Sequence, residues 1–265
     1  MALINHVATG RGRPPMVFVH GFGCAHGDWN LQVAHFSPRL QTVAVDLPGH
    51  GDSAGTAESC SILQYGAAVT AVMRALDLPP AVLVGHSMGC RVVTEAALQA
   101  PNQTAGVVLV DGSQFAPAME AVLRRRFATP EGYGRLVAGM FEDMFTGKSD
   151  RTLAASIVAR AGRLRRPVGA KMLTDLQRYD VGRFADALAE IRVPVLAIQS
   201  TYSNERRERR TMTEGQATPF LEMVRARVAA VRIEIIPGTG HFPQLDEAAR
   251  TNELIGSFIQ TIPVA

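Results

Sequence analysis

Long hydrophobic runs are missing from this chain of 265 residues, although 47% of them are hydrophobic. No window approaches the roughly 18 consecutive apolar residues that a membrane span needs. The first residues, MALINHVATGRGRP, contain no apolar core followed by a cleavage site, so no membrane partner and a cytoplasmic protein are expected. Cysteine is scarce. Cys24, Cys60 and Cys90 are odd in number, widely spaced and free of any C-x-x-C pair, which argues against both a disulfide framework and a zinc site. They read as buried thiols in a reducing compartment, with Cys90 on a buried helix face. Charge is also thin, at 19% of residues with a net of +3. Residues 113–192 hold 14 Lys+Arg against 9 Asp+Glu, which reads as solvated helical faces. Without a basic stripe interleaved with aromatics, no nucleic-acid partner is expected.

What the chain does have is a series of short Val/Ile/Leu-rich runs without clean alternation, the pattern of strands buried on both faces of a parallel sheet. They are Met16–His20, Thr42–Asp46, Ala81–Gly85, Gly106–Asp111, Val193–Gln199 and Val231–Ile236. Helical stretches alternate with them at Asp28–Ser37, Ser59–Leu76, Met88–Ala100, Gln216–Ala229 and Glu247–Gln260. The alternation predicts a doubly wound, mostly parallel α/β sheet, with Ile4–Ala8 as an antiparallel edge. Between Asp111 and Val193 the spacing is too long for one crossover. Ala118–Phe127, Gly132–Phe145, Arg151–Leu164 and Val168–Tyr179 predict a helical insertion over the sheet, broken by Thr-Pro, Thr-Gly-Lys-Ser and Arg-Pro. The run Glu205–Arg210, ERRERR, reads as an exposed helix start or loop.

The chemistry is carried by Gly85-His86-Ser87-Met88-Gly89, a G-x-S-x-G nucleophile elbow between a predicted strand and a predicted helix. Serine needs a base. Of seven histidines, His241 lies after Ser87 in the chain, on the glycine-rich loop that follows the last strand, where the base is expected. His86 reads as structural, and His20 as a buttress of its loop. The His20-Gly21-Phe22-Gly23 turn ends a strand so that the Phe22 and Met88 amides can form an oxyanion hole.

HGFG at 20–23, DLPGHGDS at 46–53, GHSMG at 85–89 and GTGHFPQLDE at 238–247 together resemble the α/β-hydrolase superfamily, from about residue 15 to 112 and again from 190 to 262. The resemblance implies an α/β-hydrolase core of residues 1–112 and 190–265, with a helical cap at 113–189. It implies a hydrolase that acts through an acyl-enzyme on an ester, lactone or thioester of a small molecule and requires no metal or cofactor. Relatives that use an Asp nucleophile, the epoxide hydrolases and haloalkane dehalogenases, are disfavoured by Ser87.

In most members the third residue of the triad is an acid after the penultimate strand. Here Val193–Gln199 is followed by Ser-Thr-Tyr-Ser203-Asn-Glu205, and Ser203 occupies the expected position. Asp111, at the end of the strand after the nucleophile strand, is the favoured substitute. Glu205 is the alternative, and Asp180 or a dyad without an acid remains open. Asp46, His50 and Asp52 are expected to shape a turn, while Trp29, Phe115 and Phe141 are candidates to line the substrate pocket, with core packing as the alternative for each. Carbon–carbon bond hydrolysis on the same triad, a cofactor-free oxygenase using a His241–Asp111 dyad and a ligand receptor are all compatible with these motifs. An apolar cap is compatible with a homodimer.

Overall fold

The computed structural model describes residues 3–204 and 208–262. Its elements in chain order are β1 (His6–Thr9), β2 (Met16–Val19), α1 (Asn30–Phe36), β3 (Thr42–Val45), α2 (Ile62–Ala75), β4 (Ala81–His86), α3 (Gly89–Gln99) and β5 (Thr104–Val110). Five helices follow before the next strand: α4 (Met119–Phe127), α5 (Pro130–Glu142), α6 (Arg151–Gly162), α7 (Arg166–Gly182) and α8 (Phe184–Glu190). The chain closes with β6 (Val195–Gln199), β7 (Thr201–Ser203), β8 (Arg209–Thr211), α9 (Pro219–Arg227), β9 (Val231–Ile235), α10 (Pro243–Asp246) and α11 (Ala248–Ile259).

Seven strands form one sheet in the order β1-β3-β2-β4-β5-β6-β9. Only β1 is antiparallel, pairing with β3 through His6↔Val45 to Thr9↔Thr42, so the expected edge strand is present about two residues later than its sequence pattern. Alternate residues feed two cores. Val17, Val19, Leu83, Val107 and Leu109 face α2, α3 and the inserted helices, while Met16, Phe18, Val82, Val84, Val108 and Val110 face α1 and α11. Burial on both faces is why these strands read as continuous apolar runs.

Helix starts follow local chemistry. Ser61 Oγ accepts from Gln64 N at the start of α2, Thr129 from Gly132 N with Pro130 opening α5, and Thr218 from Leu221 N with Pro219 opening α9. The α8 helix lies beyond the last inserted helix expected from the sequence, which ends at Tyr179. Among the described residues, no helix is long and apolar enough to cross a membrane.

The order places β2 between β3 and β4, so the chain reverses its winding direction at the β2–β4 boundary. The loops beyond the carboxyl ends of these two strands open into the crevice where doubly wound sheets hold ligands. Those loops are Gly21–Gly23 and Ser87.

Candidate active site

Ser87 follows β4 with φ of +55°, a left-handed conformation rare outside glycine and typical of a strained functional turn. The turn is held by Ser87 N–H donating to Val110 O at 2.9 Å and Cys90 N–H donating to Ser87 O at 3.1 Å. Its flanking glycines are steric necessities: a methyl at Gly85 would sit 2.3 Å from the Gly89 carbonyl oxygen, and one at Gly89 2.5 Å from the Val19 carbonyl oxygen. Cys90 is buried, and its thiol donates to Gly85 O at 3.3 Å, packing the elbow from behind.

His241 reaches Ser87 from the loop after β9. Its Nε2 lies 2.9 Å from Ser87 Oγ, and its Nδ1 lies 2.6 Å from Asp111 Oδ2. Backbone contacts fix the ring: His241 N–H donates to Met144 O at 2.7 Å, and His241 O accepts from His86 Nε2 at the same distance. Burial keeps His86 well below its usual pKa and therefore neutral, in the supporting place that its position beside Ser87 suggests. His20 braces the neighbouring loop, with Nε2 accepting from Leu47 N–H at 3.0 Å and Nδ1 bonded to Gly21 O at 2.7 Å.

Asp111 is fully buried at the end of β5, with φ of +44°. Its carboxylate accepts from Ser200 N–H (2.7 Å), Ser200 Oγ (2.9 Å), Thr201 N–H (2.8 Å) and Thr201 Oγ1 (2.5 Å), besides His241. The segment after β6, where the family usually carries its acid, thus supplies the donors for an acid on β5. Burial opposes the Asp111 charge, but the His241 hydrogen bond and the nearby His241 and Arg209 charges hold its pKa below the usual carboxylate value. Asp180 is engaged elsewhere, in a buried pair with Arg91 at 2.8 Å. Glu205 lies outside the described residues.

Arg209 is the site residue that the sequence reading missed. The ERRERR run reads as exposed, yet Arg209 is on β8, in a hairpin with β7, and its side chain is only 15% exposed. Its Nη1 donates to Thr201 Oγ1 at 2.8 Å and lies 3.0 Å from His241 Nδ1. Burial first, and the Arg209 charge second, push His241 down to about 4 against the opposing pull of Asp111.

Phe22 and Met88 both line the cavity at Ser87, and among the described residues neither backbone N–H donates to a backbone carbonyl. Phe115, Met140, Met144, Leu176 and Phe242 supply the apolar wall. Two candidate pocket residues are not there. Trp29 is fully buried and packs tilted against Phe18, ring centroids 5.2 Å apart, on the opposite face of the sheet. Phe141 packs against the Gly23 turn, where a methyl on Gly23 would come 3.1 Å from its ring, and α5 presents Met140 to the cavity instead. Asp46 does shape the 46–52 turn, accepting from Asn5 Nδ2, His26 N–H and Asp52 N–H. No cluster of three or more His, Cys, Asp or Glu side chains suited to a metal ion occurs among the described residues.

A mostly parallel sheet of this order, with an elbow at its switch point, defines an α/β-fold hydrolase. Residues 16–254 match the alpha/beta hydrolase family, and the chain belongs to it. It is 31% identical over 264 residues to a pimeloyl-[acyl-carrier protein] methyl ester esterase of Methylococcus capsulatus, covering 95% of this chain and 96% of that one. Two solved structures share the fold: an esterase from Exiguobacterium antarcticum (TM-score 0.80, 17% identity, 97% and 95% of the two chains) and the enol-lactonase from Burkholderia xenovorans (TM-score 0.79, 18% identity, 97% and 96%).

Proposed function

We propose that this hydrolase cleaves a carboxylic ester, lactone or thioester of a small molecule through an acyl-enzyme on Ser87, with His241 as base and Asp111 as the third member of the triad. The observation that carries this reading is the continuous contact from Ser87 Oγ to His241 Nε2 (2.9 Å) and from His241 Nδ1 to Asp111 Oδ2 (2.6 Å). Ester chemistry is supported by the methyl ester esterase, which aligns over nearly the whole chain.

His241 Nε2 takes the Ser87 proton as Oγ attacks the carbonyl carbon, and Asp111 stabilises the imidazolium and fixes its tautomer. The Phe22 and Met88 N–H groups receive the oxyanion. Collapse of the tetrahedral intermediate passes the Nε2 proton to the leaving oxygen or sulfur and leaves the acyl group on Ser87. Water, deprotonated by the same histidine, attacks that ester, and the acid departs as Ser87 regains its proton. The three cysteines are free and buried, which supports a cytoplasmic setting.

The experiment is fluorophosphonate labelling of intact protein, read by mass, beside a panel of esters, lactones and thioesters. One label on the unmutated protein, none on Ser87→Ala, and turnover on at least one panel class are expected. An unlabelled wild type, or equal labelling of Ser87→Ala, sinks the serine mechanism.

A further inference from the structure

Arg209 brings a positive charge against the triad from a hairpin that also carries the donors to Asp111. Its Nη1 bonds Thr201 Oγ1 at 2.8 Å, and Thr201 Oγ1 donates to Asp111 Oδ2 at 2.5 Å. The same nitrogen is 3.0 Å from His241 Nδ1 and 3.7 Å from Asp111 Oδ2. Arginine offers donors only and stays protonated. Two arrangements therefore compete at Nδ1. In one, Nδ1–H donates to Asp111 and leaves an Nε2 lone pair for the Ser87 proton. In the other, Arg209 donates to Nδ1, the imidazole proton moves to Nε2, and Ser87 loses its base. The carboxylate is closer, at 2.6 Å against 3.0 Å, and forms a charge-assisted bond, while Arg209 has Thr201 Oγ1 as a nearer acceptor at 2.8 Å.

We propose, on the serine-hydrolase reading above, that Arg209 is a positioning residue. Through Thr201 it anchors Asp111 as a permanent carboxylate, and as a cation beside the buried His241 it helps to keep the resting imidazole neutral, so the base stays available well below neutral pH.

The charges facing His241 fit this role. Asp111, just after β5, attracts a proton to it, while Arg209 on β8 and Arg91 on α3 repel one. His86 on β4 is neutral by burial. Asp143, just after α5, and Asp111 both favour the Arg209 cation against its burial. Asp246 of α10 is held by Ser149 Oγ at 2.8 Å and bonded by the Gly240 amide. A purely structural arginine would shift protein stability and overall rate; this one moves the pH at which the base is lost.

The test is the rate of Ser87 labelling by a fluorophosphonate between about pH 8 and pH 5.5 for wild type, Arg209→Met and Arg209→Gln, with circular dichroism at each pH. The wild type is expected to stay within about twofold of its plateau at pH 5.5. Each variant is expected to fall at least about threefold below its own pH 8 rate there, because the Arg209 charge no longer repels the proton while burial still does. A wild type that loses tenfold by pH 5.5 while folded overturns the proposal, whether or not the variants fold. So does a folded variant with the wild-type profile. Absence of label at every pH overturns the serine reading instead, which keeps the two failures distinct.

Discussion

Asp111 Oδ2 and His241 Nδ1 stand 2.6 Å apart although 130 residues separate them, and the carboxylate comes from the end of β5, the strand next to the one that leads into Ser87. Ser200 and Thr201 hold Asp111 from the position where the sequence would otherwise be searched for the acid.

Asp111→Asn is expected to lower kcat by a factor on the order of 10³ to 10⁴, because an amide no longer fixes the productive tautomer or stabilises the imidazolium. Glu205→Gln is expected to leave turnover nearly unchanged. Steady-state kinetics on the best ester decide between the two carboxylates; near-normal turnover in Asp111→Asn removes it from the triad.

Asp180→Asn is expected to destabilise the fold by about 3–5 kcal/mol, the usual cost of stranding one charge of a buried pair. Asp180 also accepts from Phe115 N–H at 2.7 Å, and its partner Arg91 donates to Ser87 O at 3.0 Å. One ion pair thereby ties α7 to the Ser87 turn. Urea unfolding measures the loss, and a change below about 1 kcal/mol would contradict a dry, uncompensated Arg91.

Gly89→Ala is expected to yield insoluble or inactive protein. The added methyl meets the Val19 and His20 carbonyl oxygens at 2.5 and 2.9 Å, backbone atoms of a central strand that cannot swing aside. Gly139→Ala, where a methyl meets nothing within 4 Å, is the matched control and should fold normally. Soluble expression and labelling compare them.

Acid should weaken the fold before it titrates most carboxylates. Burial pushes His20 down to about 3 and His50 to about 4, below the value of about 6.5 they take when unfolded. As pH falls through 6.5 the unfolded chain therefore binds their protons first. Stability is fullest above that pH and declines toward pH 4 by roughly 1 kcal/mol per pH unit for each group. Urea midpoints at a series of pH values test the slope; a flat response between about pH 7 and 5 would show that these histidines are not buried neutral.

The sequence by itself determined the sheet, its flanking helices, the elbow at Ser87 and the loop bearing His241. These are local: strand runs, capping serines and threonines, and glycines that alone permit two backbones to touch write their requirement into a few adjacent residues. The acid was legible only as a choice among Asp111, Glu205, a remoter acid such as Asp180 and no acid at all, since a carboxylate reveals its surroundings through donors that arrive from another strand. Arg209 was misread because a run of alternating charge looks solvated until a hairpin turns one of its members inward. Trp29 and Phe141 were misplaced for the converse reason: an aromatic near the site in sequence packs on whichever face its strand or helix turns it toward. Tertiary structure alone decided which charges surround His241, because charge interactions depend on distance across space and carry no sequence period.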